Sequence, residues 1–326
     1  MMAVEAQCRV CGQASTSARC FDAREMMVGL RTVHRYFQCD TCGCLQIVDM
    51  PPDMASYYGA DYYSMGAPEE VGFKAFLLGL RNRHAALQQG LLGGWLLRLK
   101  PTTEFDFLQP LRAHLNEHSR LLDVGCGSGH LLRRLQTAGF DRLLGVDPFI
   151  DADVSLNGRR LVVKDMLKEV AGPFELIMFN HSLEHMPEQL DAMRSAFDLL
   201  VPGGHCLVRV PLVTSQAWDR YGVNWVQLDA PRHFYLHSNT SLRQLGEQAG
   251  FRCVAERYDS TALQFWGSEQ YAMDIPLRDP RSFAEDPGAG LFTVQQIAEF
   301  EAEAVRLNTA GRGDQAGFYF QKPATV

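Results

Sequence analysis

The sequence predicts an α/β fold with a mostly parallel sheet, preceded by a small metal-binding module. Three observations predict it. From about residue 119 onward, short apolar runs alternate with helical patterns, as in chains that wind strand–helix–strand units into one sheet. Those apolar runs are continuous rather than alternating, the pattern of strands covered on both faces. Six of the nine cysteines, Cys8, Cys11, Cys20, Cys39, Cys42 and Cys44, crowd into the first 44 residues. The N-terminal MMAVEAQCRVCG has no basic n-region and no apolar h-region, so clustered cysteines point to metal rather than disulfides.

The elements follow in order. Residues 1–50 hold two pairs, Cys8-x-x-Cys11 and Cys39-x-x-Cys42. Each pair forms a knuckle, and four thiolates close a tetrahedral, structural zinc-ribbon site. Cys44 could stand in for Cys42, but the CxxC spacing favours Cys42, and Cys20 reads as a bystander. A module this small is expected to draw much of its stability from the metal. Residues 51–118 open with the Tyr-rich PPDMASYYGADYYSMG and continue as FKAFLLGLRNRHAALQQGLLGGWLLRLK. Apolar spacing of three and four there predicts a helical linker or cap. Its Leu-Gly-Gly-Trp-Leu-Leu run could touch a membrane, although a buried linker helix is the expected reading.

Residues 119–326 carry seven strand candidates: SRLLDVGCG, DRLLGVDP, RRLVVKD, FELIMFNH, HCLVRVP, RCVAERYD and DQAGFYFQKP. Between them, GHLLRRLQTAGF, PEQLDAMRSAFDLLVPGG and NTSLRQLGEQAGF read as helices, the last capped by Ser238 or Asn239. DPRSFAEDPGAG, Asp279 to Gly290, reads as an exposed loop.

The first strand runs into Asp123-Val-Gly125-Cys126-Gly127-Ser128-Gly129 and then a helix. Glycines permit a tight turn and close approach of a ligand, and the helix start offers free N–H groups. The second strand ends in Gly145-Val146-Asp147, where a carboxylate can accept both hydroxyls of a ribose. NAD would fit this much. The ensemble LLDVGCGSGHLL, GVDP, KD at 164–165 and a strand ending in Asn180-His181 resembles class I S-adenosylmethionine-dependent methyltransferases. The resemblance covers most of residues 119–326 and implies a Rossmann-like, seven-stranded sheet with a reversed final hairpin. It further implies that Asp123 and Gly125, Cys126, Gly127 and Gly129 hold the methionine part, and Asp147 the ribose. Asp165 and Met166 would flank the adenine, and Asn180 and His181 would lie under the sulfonium.

Residues 181–185 read HSLEH. A zinc hydrolase would need this motif inside a long helix, and Pro187 interrupts it. Two chemistries remain. His181 or His185 can act as general base toward a hydroxyl. Alternatively His181, Glu184 and His185 help hold a second divalent metal. Ubiquinone-type and small-RNA 3′-end methyltransferases resemble this stretch but carry Glu-x-x-Glu-His and use metal. His181 replaces their first glutamate, so the metal-free base is the expectation.

Residues 211–238 form a long connection rich in rings, and long loops in compact domains are often functional. Trp225, Tyr221 and Arg232, with Glu184, are the candidate substrate contacts, and His233 is an alternative base. Phe234 and Tyr235 read as packing residues. The Trp-x-x-Leu-Asp-x-Pro-Arg-His segment resembles one in bacterial methyltransferases of cell-surface glycan and natural-product sugar pathways. Zinc module, Tyr-rich segment and methyltransferase domain together resemble sugar methyltransferases. Deoxysugar C-methyltransferases of that architecture carry a further C-terminal α/β domain, so O-methylation of a sugar hydroxyl is expected over C-methylation.

An RNA methyltransferase with a zinc ribbon is the competing class. The net charge of -7 argues against it, because RNA binding needs a basic face. No apolar run reaches the ~18 residues of a membrane span. The expected setting is therefore cytoplasmic, with S-adenosylmethionine and one structural zinc, no nucleic acid partner, and an oligomeric state the sequence leaves open.

Overall fold

The computed structural model describes residues 4–58, 72–156, 158–288 and 290–324. Residues 59–66 of the Tyr-rich segment fall outside them. Four strands come first: β1 (Val4–Gln7), β2 (Ala14–Arg24), β3 (Val33–Gln38) and β4 (Leu45–Ile47). Two helices follow, α1 (Gly72–Leu87) and α2 (Leu91–Leu99), broken apart where Gln88 and Gly90 take positive φ. The α/β part contains β5 (Arg120–Val124), α3 (His130–Thr137), β6 (Arg142–Val146), β7 (Val154–Leu156), β8 (Arg159–Val163), β9 (Phe174–Asn180), α4 (Gln189–Leu199) and β10 (Leu200–Pro211). It ends with α5 (Gln216–Tyr221), β11 (Tyr235–Leu236), α6 (Asn239–Gln248), β12 (Arg252–Tyr258), α7 (Leu263–Ala272), α8 (Val294–Thr309) and β13 (Gln315–Gln321).

The large sheet runs β12-β13-β10-β9-β5-β6-β8-β7. Its centre, from β10 through β8, is parallel, and β13 is reversed between β10 and β12. This is the Rossmann-like α/β arrangement, with a reversed final hairpin, that the sequence predicts. All seven strand candidates are strands. The sheet described here has eight, however: Val154–Leu156 adds a short antiparallel edge on β8, too brief to show a period in sequence. Leu121, Leu122, Asp123 and Val124 are all buried, which is why β5 reads as an uninterrupted apolar run. Strand order reverses at β5, with β6 on one side and β9 on the other. Ligands bind at the carboxyl ends of strands at such a switch point. Ser238 caps α6 by accepting from the Ser241 N–H at 2.9 Å. The segment between β12 and β13 holds two helices, α7 and α8, beyond the helices that the sequence predicts.

The small sheet, β1-β2-β3-β4-β11, is antiparallel, and its last strand comes from the long connection after β10. One core runs through both parts. Cys8, Val10, Met26, Tyr36, Leu45 and Ile47 pack in the same cluster as Trp218, Trp225, Phe234 and Leu242. The cysteine-rich segment is thereby fastened to the loop over the large sheet. Helix α1 is the buried linker expected at its second half, where Ala85, Ala86 and Leu87 join a core cluster, but α2 is not: Leu91, Trp95 and Leu99 are exposed.

Candidate active site

The glycine loop leaves β5 with Gly125, Gly127 and Gly129 at φ of 70, 53 and 79°. These are left-handed values that side chains resist. Space is as tight as conformation. A Cβ on Gly125 would fall 2.6 Å from Ser182 Cβ, and one on Gly129 would fall 2.7 Å from Val162 Cγ2. The first of these near-contacts also places the exit of β9 directly against the loop. Ser182 Oγ donates to the Val124 carbonyl at 2.6 Å, fixing that approach. Asp147 accepts from the N–H of Gly127 at 2.8 Å and of Phe149 at 2.9 Å, tying the end of β6 to the loop.

Asp123 is buried beneath the loop, and its Oδ1 has no partner. Burial, with the Asp147 charge adding to it, pushes its carboxyl up to about 8. A cationic group there would repair the cost. An orphaned carboxylate and a glycine cradle therefore fit a positively charged amino acid portion of a ligand. Asn180 accepts from Arg209, which also donates to Asp259 at 3.0 Å. Asp165 and Met166 follow β8 at the same sheet edge, and Met166 is exposed. Cys126 is half-buried, and burial raises its thiol. All the predicted cofactor residues thus come to one edge of the sheet.

The HSLEH stretch lies beside them. His181 has φ of 52°, a strained value for a residue with a Cβ. Its ring remains partly open to solvent, with Nδ1 3.6 Å from Glu184 Oε1. Glu184 is fully buried, and neither carboxylate oxygen has a hydrogen-bond partner. Burial alone would raise its carboxyl. The surrounding imidazoles of His181, His185 and His233 outweigh burial and lower it to about 2.

His185 Nδ1 donates to the Arg232 carbonyl at 2.9 Å, and His233 Nδ1 to the Gln227 carbonyl at 2.8 Å. Each ring therefore carries its lone pair on Nε2. The two rings meet edge to face with centroids 4.6 Å apart. His233 Nε2 lies 4.0 Å from Glu184 Oε1. Burial first, and the neighbouring His233 second, lower His185 to about 4. That value makes it a weak acceptor for a hydroxyl proton near neutral pH. The Tyr58 hydroxyl is 3.4 Å from His185 Nδ1, so one residue of the Tyr-rich segment does reach the site. Glu184, His185 and His233 each bring a ligand atom within 4.8 Å of the others.

Two predicted substrate contacts have other tasks. Trp225 is fully buried and donates Nε1–H to Asp314 at 3.0 Å. Arg232 is also fully buried, between Glu25 at 2.7 Å, Asp229 at 2.6 Å and the Tyr57 carbonyl at 2.8 Å. A guanidinium so engaged has its donors taken up by the protein, and it braces Glu25, Asp229 and the Tyr57 backbone against one another. Tyr221 is half-buried and donates to Glu269 at 2.8 Å. The reading of the sequence missed Glu25 and Asp229. Asp229 lay within the quoted Leu-Asp-x-Pro-Arg-His, whereas nothing near Glu25 marks it. Glu25 also accepts from the N–H groups of Met27, Val28, Gly29 and Leu30, so it joins β2's exit to the active-site loop.

In the small sheet the Cys8–Cys42 and Cys11–Cys39 sulfur pairs are each 3.6 Å apart. All four thiols lie within 4.8 Å of one another. Thiolates at ~2.3 Å from a tetrahedral zinc lie about 3.8 Å apart, so the four cysteines fit that ion. The Cys8 thiol is lowered to about 4, chiefly by its hydrogen bond with Cys42. Gln46 Nε2 donates to Cys8 Sγ at 2.9 Å as well.

Residues 98–256 match a family described as a methyltransferase domain. Those residues form a methyltransferase domain. It is 30% identical over 131 residues to a ubiquinone biosynthesis O-methyltransferase of Marinobacter nauticus, covering 33% of this chain and 54% of that one. It is 29% identical over 203 residues to a tRNA U34 carboxymethyltransferase of Azotobacter vinelandii, covering 52% and 61%. The chain spans about half the length of the curated relatives it matches first. Among solved structures, a methyltransferase from Archaeoglobus fulgidus aligns with a TM-score of 0.43 at 18% identity, over 72% of this chain and 100% of that one. S-adenosylmethionine is the cofactor expected of the domain, and the orphaned Asp123 and glycine cradle fit it. No helix among the described residues is long and apolar enough to cross a membrane.

Proposed function

We propose that this chain methylates a hydroxyl oxygen, that of a sugar in bacterial glycan or natural-product synthesis, using S-adenosylmethionine. The observation that carries the reading is Glu184, a buried carboxylate facing three imidazoles directly beside the glycine loop. Asp123 would neutralise cationic charge on the cofactor, Gly125 to Gly129 would let it approach, and Asp147 would take the ribose. Asp165, Met166 and Asn180 would line the remainder. When bound, the cofactor supplies an electrophilic methyl group on a sulfonium.

His181 is the proposed base. It is the imidazole of the three that is most open to an incoming hydroxyl, and Glu184 stands behind its Nδ1. A carboxylate in that position holds the tautomer and stabilises the imidazolium as Nε2 takes the proton. His185 and His233, pinned to backbone carbonyls, hold the pocket around Glu184. Positioning supplies most of the remaining effect. The sugar acceptor is supported by the likeness of residues 225–233 to sugar-pathway methyltransferases. Oxygen as the accepting atom is in keeping with the O-methyltransferase relatives. The four cysteines would hold a structural zinc.

The test is calorimetric titration with S-adenosylmethionine, followed by transfer of labelled methyl to a panel of nucleotide sugars, lipid-linked sugars and tRNA. Cofactor binding with label on a sugar oxygen is the expected result. Label on tRNA alone would sink the sugar reading, and absence of cofactor binding would sink the methyltransferase reading.

One observation favours a second reading. Glu184 has two unpartnered oxygens and faces His185 and His233, each oriented through its Nδ1 as metal-bound histidines are. Glu184, His185 and His233 could therefore hold a divalent cation that acidifies the acceptor hydroxyl. Elemental analysis distinguishes the two. The histidine-base reading expects one metal per chain, unchanged in Glu184→Gln. The cation reading expects a second metal that this substitution removes.

A further inference from the structure

An ordinary surface helix turns its apolar stripe inward and its charges outward. Helix α2 does the reverse. It packs on α1 through Gly93 and Gly94, where an added Cβ would collide with the Leu80 carbonyl and the His84 ring. At 100° per residue, Leu91, Leu92, Trp95, Arg98 and Leu99 fall on the opposite side, within an arc of about 120°. These apolar side chains are exposed by 96% at Leu91, 51% at Leu92, 56% at Trp95 and 64% at Leu99. Helix α1 adds Phe73 at 74% and Phe76 at 59%, stacked on each other. Exposed apolar side chains gathered on one helix face in this way mark an interaction site.

Charge selects the partner. Residues 72–103 contain no Asp or Glu, within a chain of net charge -7. Of their five Lys or Arg, Arg81 is buried and Arg83 pairs with Glu117 at 2.8 Å, so the cations beside the face are Arg98 and Lys100. Arg98 and Lys100 flank Trp95 and Leu99 at the exposed end of α2. An apolar face bearing Trp, bordered by cations that can reach past it, suits the boundary between acyl chains and anionic headgroups. The rest of the molecule, net acidic, would be repelled from the same surface. A second copy of this chain offers no such complement, because the patch would meet its own positive charge.

We propose that the outward face of α2, with the start of α1, is a docking surface for an anionic lipid bilayer. The face lies apart from the glycine loop and the histidines, so the proposal does not depend on which hydroxyl is methylated.

The experiment is flotation of the full chain with vesicles of phosphatidylcholine alone and with phosphatidylglycerol added. Trp95→Glu and the double variant Arg98→Glu/Lys100→Glu serve as comparisons, and circular dichroism checks that each is folded. The expected result is binding to the anionic vesicles that Trp95→Glu weakens about tenfold or more and that the double variant and added salt also weaken. Equal binding of wild type and Trp95→Glu would overturn the proposal, as would failure to float with anionic vesicles. Light scattering that shows a dimer lost in Trp95→Glu, without vesicle binding, would overturn it too and give the face to a second copy.

Discussion

The proposed cofactor side and the proposed acceptor side of this site are built in opposite ways. Asp123, the glycine loop and Asp147 lie within 25 residues of one another in sequence, and hydrogen bonds within that stretch shape them. The acceptor side is assembled from Glu25, Tyr58, the stretch from His181 to His185, and the loop from Asp229 to His233, joined by contacts that span up to 207 residues. One side is a local motif. The other is held by tertiary structure, and a strand of its loop completes the sheet that carries the cysteines. A change on the acceptor side should therefore disturb turnover and folding while sparing the cofactor, and the reverse should hold for Asp123.

The largest expected effect comes from Glu184. Glu184→Ala removes the carboxylate behind His181 and should lower kcat by about 10²–10⁴-fold, with the S-adenosylmethionine Kd from calorimetry little changed. A matching loss of cofactor affinity would show that the two sides are not separable. Next is the brace. Arg232→Met leaves Glu25 and Asp229 buried without their cation, a change that costs about 3–5 kcal/mol. Urea unfolding would read it. Adding Glu25→Gln to Arg232→Met should recover part of the loss, and no recovery would mean that the ion pairs are not what is felt.

The cofactor side gives a pH test of moderate size. Folding raises the Asp123 carboxyl to about 8. Its contribution to stability is therefore fully present below its ordinary range and is lost as pH rises through about 8. A cationic ligand favours the ionised form, so binding should expel a proton. Affinity should then climb with pH at up to about tenfold per unit and level off above about 8. Asp123→Asn should flatten that slope and leave the acceptor-side histidines in place. A wild-type profile already flat from pH 6 upward would remove Asp123 from the cofactor's charge.

How much of this could be read in the sequence follows the same division. β5, β6, β8, β9 and β10 were legible because parallel strands covered on both faces leave unbroken apolar runs, whereas β7 and β11, of three and two residues, were too short to leave a pattern. The glycine loop was legible because its three positive φ values demand glycine at fixed spacing. His181, Glu184 and His185 were legible as a cluster, since the end of β9 carries them together. The task of Arg232 was not. In sequence it is a cation beside a histidine in a ring-rich loop, and only its burial against Glu25 and Tyr57 turns it from a substrate contact into a brace. Glu25 was invisible for the same reason. A carboxylate that caps four backbone N–H groups and meets a guanidinium 207 residues away leaves no local period. The inverted face of α2 was half legible: the run of Leu and Trp was plain, but its orientation depends on Gly93 packing inward.

Trp225 gives the smallest and sharpest test of the division. The ring lies fully inside the shared core, and its one polar atom donates to Asp314. Asp314 is itself buried, and burial raises its carboxyl despite the hydrogen bonds from Gln227 and Trp225. If Trp225 stacked on an acceptor sugar, Trp225→Phe would raise KM and leave stability alone. As a core residue it should do the opposite. Losing one hydrogen bond to a buried carboxylate should lower unfolding stability by about 1–2 kcal/mol, with KM for the acceptor unchanged. Asp314 should then be driven further upward, because one of the donors that favour its charged form is gone. The stability lost should therefore grow as pH rises through the carboxyl's raised range, and be smallest in acid, where Asp314 is neutral in both proteins.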